Sequence, residues 1–574
     1  MDHSSKTKVL KQLARTGGET AEKALENAAA KIAAELEKET RYDLLEQQIE
    51  LLDIFAFRVP ETAVEIVRQF IERLGALVLT HYTEPDWPKI DRTKDGDKNR
   101  LIVGVLKLLD RIRYHRLEDI LEIFMSYSKN EDAEVRQQAG QGLEHLAEFN
   151  LDIYYSGKNR AGFGPDPQLN VLEWLEALDT AEQQRNSAAV IEMCSHLLSP
   201  SMGSTTWDYK TVTWSSGPIP VTNEIKDIRR RSLRLLKGLY GMAITTAEKM
   251  SVINAMLAAT HTPNMGEYGD DVLDMVSENT LEVLAFFKEI LPEENLQVVQ
   301  KIEHDAFWRF RHAPRDDAKA VALEIRDLLA NHDEYTIYKA LIGFQGVFED
   351  WEESLTKKPD FRGIDEYRSA RAKEYADSIN AENWAVWHDR ILRFATTESN
   401  DLATFPHFFE FLRQFAEKSP NLAFGLLTEN LDDIRLITIP LLRGLWKGPR
   451  KADLRALMLE WIAADRQLIA IAKLFLSNDD IDEELLRILL DKGAEDANCD
   501  ILISIVAVAA SNYADGHKDL VPKFFLPAVE ALTKIGDAGW IHEIWYRKER
   551  RDILHGLGKR VGKSFSTGCS WRAI

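Results

Sequence analysis

Two stretches of the chain carry the same residue types at the same offsets. Asp227-Ile228-Arg229 is followed, eight positions on from the aspartate, by Leu235-Leu236-Lys237-Gly238-Leu239-Tyr240. Asp433-Ile434-Arg435 is followed at the same offset by Leu441-Leu442-Arg443-Gly444-Leu445-Trp446. An acid and a base at the head of a helix, with leucines behind them spaced to share one face, is what a stacked helical repeat asks of its inner helix. The length of 574 residues points the same way, because it exceeds what one hydrophobic core organises and demands several domains or an array of small cores. A hydrophobic share of 45% is ample for packing either.

A third stretch, Asp132-Ala133-Glu134-Val135-Arg136-Gln137-Gln138-Ala139, continues to Leu143 and Leu146. It resembles the second helix of a HEAT repeat: an aspartate, Val-Arg, a small residue and spaced leucines. The resemblance covers about a score of residues and implies a ladder of acids and arginines between neighbouring repeats. On that implication Arg136, Asp227, Arg229, Asp433 and Arg435 are the repeat-stacking residues. Weaker relatives begin at Asp43 and Tyr335, so that anchors at 43, 134, 227, 335 and 433 are separated by 91, 93, 108 and 98 residues. Two helix pairs of ~45 residues fill such a period. Chance alignment of leucine-rich amphipathic helices is the alternative.

The pattern predicts an N-terminal helical segment over 1–83, with helices at Thr20–Lys38, Tyr42–Phe57 and from Pro60 to Val78. A charged loop follows over 84–100. Within it Asp91, Asp95, Gly96, Asp97 and Asn99 resemble part of a calcium loop, but Thr93 and Ile102 stand where ligands belong, and no metal is expected. HEAT-like helices occupy 101–153. Central repeats follow over 154–360, after a glycine- and proline-rich hinge from Tyr154 to Pro167. C-terminal repeats occupy 361–546, beyond a charged insertion from Asp350 to Arg371 taken as a boundary, and a basic tail closes the chain over 547–574. The alternation of β-branched and aromatic residues from Thr205 to Trp214, with Gly217, Pro218 and Pro220 behind it, predicts a β-hairpin near 205–220. Trp214-Ser215-Ser216-Gly217-Pro218-Ile219-Pro220, running into Glu224, Ile225 and Ile228-Arg229, is similar to connections in the helical-repeat regions of bacterial STAND NTPase and Sir2-linked defence proteins. That resemblance covers about thirty residues and implies a sensing or assembly role, although no ATPase or NAD-hydrolysing domain is recognisable here.

A net charge of −21 opposes general binding to nucleic acid or an anionic membrane. Cys194, Cys499 and Cys569 lie too far apart for a metal pair or a disulfide framework, which suits a reducing cytoplasm. Met1 to Leu10 has no apolar stretch of the signal-peptide kind. The longest apolar run, Ile501 to Ala510, falls short of the ~20 residues a membrane crossing requires and predicts a buried helix.

Candidate chemistry is sparse. Asp270-Asp271-Val272-Leu273-Asp274 spells a magnesium motif of terpene synthases, but its place after Gly269 also suits acids at the start of a helix. Gly562-Lys563-Ser564 ends like a phosphate-binding loop, yet Leu557 stands where its first glycine belongs. Glu349-Asp350-Trp351-Glu352-Glu353 reads as a solvated helix end, and His304, His312, His388 and His542 are dispersed. The tail gathers Arg547, Lys548, Arg550, Arg551, Lys559, Arg560, Lys563 and Arg572 against Glu549 and Asp552, with Trp545, Tyr546, Phe565 and Trp571 interleaved. Bases and aromatics together hold phosphates and stack on unpaired bases; a tail resting on an acidic protein surface is the alternative. The expectation is an all-α solenoid of HEAT-like antiparallel helix pairs with no cofactor, no membrane contact and a protein partner. A nucleic-acid-associated protein using the tail is the alternative, and an enzyme with a carboxylate or metal site near Asp270 is third.

Overall fold

The computed structural model describes residues 3–81, 97–155, 162–207, 211–263, 267–343, 346–401, 403–513 and 515–545. The chain divides into two compact units, residues 1–328 and 329–574. In the first lie α1 (His3–Thr16), α2 (Glu19–Lys38), α3 (Tyr42–Asp53), α4 (Pro60–Ala76), α5 (Lys98–Arg111), α6 (Leu117–Tyr127), α7 (Ala133–Ala147), α8 (Leu151–Tyr154), α9 (Asp166–Ala177), α10 (Thr180–Arg185) and α11 (Ser187–Leu197). Strands β1 (Ser201–Trp207) and β2 (Val212–Pro218) precede α12 (Asn223–Met242), α13 (Thr246–Ala258), α14 (Asp270–Ile290), α15 (Leu296–His312) and α16 (Asp316–Ala330), near whose end the division falls. The second unit holds α17 (Asp333–Leu341), α18 (Phe361–Ser378), α19 (Trp384–Ala395), α20 (Pro406–Lys418), α21 (Pro420–Glu429), α22 (Thr438–Trp446), α23 (Lys451–Ala463), α24 (Leu468–Leu474), α25 (Glu483–Glu495), α26 (Cys499–Ser511), α27 (Leu526–Ile535) and α28 (Gly539–Trp545).

These helices form where propensity and pattern agree. The alanine-, glutamate- and lysine-rich stretch becomes α2 and buries Ala21, Leu25, Ala29, Ile32 and Leu36, spaced three or four apart. Asp132, Thr222, Asn295 and Asp482 each accept from backbone N–H groups in the first turn of the helix they precede. The run Ile501–Ala510 lies in α26 and is buried throughout except for Ile503, which is half-buried.

Packing follows one rule. Many helices meet a helix further along in the same layer, and several also meet a sequence neighbour as a hairpin, α1 with α2, α6 with α7, α12 with α13, α20 with α21 and α25 with α26 among them. In the first unit α3, α5, α7, α11, α13 and α15 form one such row, while α9, α12 and α14 form another. In the second unit α18, α20, α22, α24, α26 and α28 succeed one another in the same manner. The fold is therefore an all-α solenoid of HEAT-like antiparallel helix pairs, in which apolar faces are buried against adjacent helices rather than in one common centre. The inserted hairpin spans 201–218, with Thr205 opposite Trp214 and Trp207 opposite Val212. Its Met202 and Ser204 are buried while Gly203 and Thr205 face out, the alternation of a strand with one covered side.

Several expectations needed revision. Helix α1 precedes the helix taken as first; it was hidden because only Leu10 and Ala14 of its residues are buried. Within the charged insertion from Asp350 to Arg371, Trp351 is buried and α18 begins at Phe361. Helix α15 was unrecognised because Gln300, Glu303 and Asp305 interrupt its inward face.

The two matched stretches also diverge. Ile228 and Ile434 are both fully buried, as are Leu236 and Leu442. A Cβ at Gly238, however, would meet nothing within 4 Å, whereas one at Gly444 would lie 2.3 Å from the Arg413 carbonyl oxygen and 2.6 Å from the Ala416 Cβ. Helices α20 and α22 approach that closely only because residue 444 lacks a side chain. Gly444→Ala should lower stability by about 2 kcal/mol or more through overpacking. Gly238→Ala should raise it by about 0.5–1 kcal/mol through helix propensity. Urea denaturation of both variants checks this, and equal effects would refute the difference in environment.

Candidate functional site

Several arginines reach between helices to the last carbonyls of their neighbours. Those carbonyls have no intrahelical donor and carry the negative end of the helix dipole. Arg229 on α12 is completely buried. Its guanidinium donates to the Leu198 and Ser199 carbonyls at the end of α11, the latter at 3.0 Å, and to the Ala259 carbonyl beyond α13 at 2.9 Å. Its Nε donates to Asn279 Oδ1 on α14 at 2.7 Å. Burial pushes this guanidinium down to about 9, and at neutral pH it stays charged.

The same device recurs. Arg73 on α4 donates to Leu36 and Glu39 carbonyls at 2.6 and 2.7 Å, closing α2. Arg309 on α15 reaches the Thr260 carbonyl at 2.9 Å. In the second unit Arg368 on α18 donates to the Ala340 carbonyl of α17 at 3.0 Å. Arg443 on α22 reaches Lys473 and Leu476 carbonyls at the end of α24, at 3.2 and 3.1 Å.

The implied stacking residues have unlike surroundings. Asp227 pairs with Arg230 and Arg231 on its own helix, and Arg231 carries the link to Glu176 of α9 at 3.1 Å. Arg136 is exposed and turns back to donate to the Asn130 carbonyl of its own loop at 2.7 Å. Asp433 and Arg435 are exposed and precede α22, Arg435 in a 3-10 turn. Arg73, Arg309, Arg368 and Arg443 were not singled out, since a lone arginine in an amphipathic pattern gives no sign of the carbonyl it meets. Arg229→Met, which keeps much of the volume and removes the donors, should cost about 3 kcal/mol or more by stranding buried carbonyls. Arg136→Ala should stay within about 0.5 kcal/mol. Chemical denaturation distinguishes the two, and a mild Arg229 effect would overturn the assignment.

One carboxylate clamp joins α17 to α19. Arg390 donates to both oxygens of Glu334 at 2.9 and 2.8 Å, and Arg393 adds a bond at 3.1 Å. Burial works to raise the Glu334 carboxyl, but Arg390 and then Arg393 outweigh it and hold the group below the usual glutamate range. A pKa lowered on folding means stability that is present above the unfolded value of about 4.5 and is lost as pH falls through the lower folded value. Glu334→Gln should therefore be less stable than the parent protein at pH 7, with the gap narrowing as the two are titrated below pH 4.5. Denaturation midpoints taken across that range decide it, and a gap independent of pH would exclude the clamp.

The remaining candidates resolve as follows. Asp270 and Asp274 both bind Arg315, at 3.0 and 2.8 Å, so the carboxylates of the magnesium-like motif already face a cation at the start of α14. Asp350 accepts from the Glu353 N–H at 2.8 Å and Glu353 pairs with Lys357, as a solvated helix end would. Cys194 is buried and its thiol is pushed up to about 12 by burial. The tail residues Arg547, Lys548, Arg550, Arg551, Lys559, Arg560 and Lys563 lie outside the described residues, as do positions 91 to 96 of the calcium-like loop. Among the described residues no helix is long and apolar enough to cross a membrane.

An open groove of about 510 Å3 lies between α1, α2 and α3. Val9, Leu10, Ala28, Ile32, Leu44 and Leu51 line it, and Lys6, Lys31, Glu35 and Glu39 supply charges of both signs. Val9 is 46% exposed although it neighbours buried Leu10. The sequence signal was the pair Val9-Leu10, too short to mark a face.

No protein-family model matches the chain. No curated protein matches it either. Among solved structures, a mutant of Kap121p matches at 14% identity over 99% of this chain and 55% of that one, with a TM-score of 0.23. Kap121p bound to Nup53p matches at 12% identity over 97% and 56% of the two chains, with a TM-score of 0.19. Importin beta matches at 10% identity over 85% and 59%, with a TM-score of 0.17. The chain thus spans just over half the length of these solved chains. The fold assignment rests on the helix packing within each unit.

Proposed function

We propose that the chain is a non-enzymatic protein-interaction scaffold that holds an amphipathic helical segment of a protein partner between α1, α2 and α3. The groove there carries this reading. Its floor is apolar side chains presented by three helices, and its charged residues are Lys6 and Lys31 together with Glu35 and Glu39. An apolar floor with charges of both signs suits a helix whose anchors sit three or four residues apart and whose flanks are charged. The exposed Trp214, 79% accessible on β2, offers a second apolar contact on the same unit.

The narrower reading, a regulatory component of a bacterial antiviral defence system, draws support from the resemblance between Trp214 and Arg229 alone. The nucleic-acid reading draws on the eight bases of the tail. It requires salt-dependent binding to DNA or RNA that disappears when residues 547–574 are removed.

Partners that co-purify with the chain should bind Val9→Asp and Ala28→Glu variants at least tenfold more weakly, about 1.4 kcal/mol. Thermal stability should be unchanged, because neither residue is fully buried. A photo-crosslinker at position 9 should capture the same partner. Unchanged affinity in both variants would remove the groove from the function.

A further inference from the structure

We propose that Glu144, Glu192 and His196 form a binding site for a divalent transition-metal ion that ties α7 to α11. This assignment is independent of the scaffold reading. Glu192 and His196 are four apart on α11 and so share a face, while Glu144 comes from α7, the adjacent helix of the same row. One ligand atom from each of the three lies within 4.8 Å of the other two.

The backbone that presents them is held from behind. Helix α7 buries Val135, Ala139, Leu143 and Leu146, and α11 buries Val190, Ile191, Met193, Cys194 and Leu197. Arg229 binds the Leu198 and Ser199 carbonyls, directly after the turn that carries His196. Helices α7 and α11 are thus anchored by their buried faces, and binding zinc at bond lengths of ~2.0–2.2 Å would draw the three side chains closer together.

Charge sets this cluster apart from the other facing carboxylates. Asp270 and Asp274 share Arg315, Glu334 has Arg390, Asp482 has Arg455, and Glu176 has Arg231. Among the described residues no lysine or arginine forms an ion pair with Glu144 or Glu192; Glu192 has only His196, 3.4 Å away. Two carboxylates and an imidazole are a donor set for Zn2+, Mn2+, Fe2+ or Co2+. They are too few oxygens for Ca2+, which takes six to eight. Three protein ligands leave at least one coordination position for water or for a donor from a bound partner.

The test is calorimetric titration of the full chain with ZnCl2, followed by Co2+ absorption spectroscopy. The parent protein should bind one equivalent tightly, and His196→Ala and Glu144→Gln should each weaken it at least about tenfold, since loss of a ligand should cost no less than loss of a residue supporting one. Both variants should keep the parent's helical circular dichroism, and His196→Ala should lose the visible Co2+ bands. His388→Ala, on a histidine that bonds Asn430 elsewhere in the chain, should bind like the parent. Binding that is unaltered in His196→Ala and Glu144→Gln would place the metal elsewhere and overturn the assignment. Millimolar-only binding by the parent would overturn it as well.

Discussion

Every α-helix ends in carbonyls that its own backbone cannot satisfy, and a protein made of short helices has many such ends to cover. In a globular domain many of them face water. In a stack of pairs they abut the next helix, and this chain covers a number of them with arginine. The guanidinium suits the task because it fans five donors in one plane on a long stem, so a single residue can span two helix ends. Arg229 does this for α11 and α13 at once. Among the described residues it has no carboxylate partner; its donors go to Asn279 and three carbonyls.

The groove of the first three helices and the Glu144, Glu192 and His196 cluster both belong to the first unit. The helices α7 and α11 also lead into the base of the hairpin, where the Gly203 N–H donates to the Phe149 carbonyl at 3.4 Å. A change at the α7–α11 contact is therefore one short segment away from the strand opposite the exposed Trp214.

Much of the architecture was legible in the residues. Long helices with a clear apolar stripe, such as α2 and α4, lie close to where periodicity predicts them, and the hairpin could be read from alternation alone. The failures have physical causes. The first half of α18 reads as part of a charged insertion because the helix buries only Arg368, Ala372, Tyr375 and Ala376, although its charged residues and alanines are good helix formers. The paired motifs share residue types at fixed offsets but not the same backbone. Pro440 in the second, where the first has Arg234, fits only the first turn of a helix and leaves Asp433 and Arg435 outside it. The groove and the inter-helix carboxylate–imidazole cluster depend on residues distant in sequence, and no local pattern announces them.

The close contact at Gly444 has a consequence for the geometry of the stack. In a globular core a misfit is taken up by neighbours on all sides. Here α22 registers on α20, α24 on α22 and α26 on α24. A methyl group at position 444 would act as a shim between two layers of a pile, and the altered pitch would be handed on to every layer stacked above it.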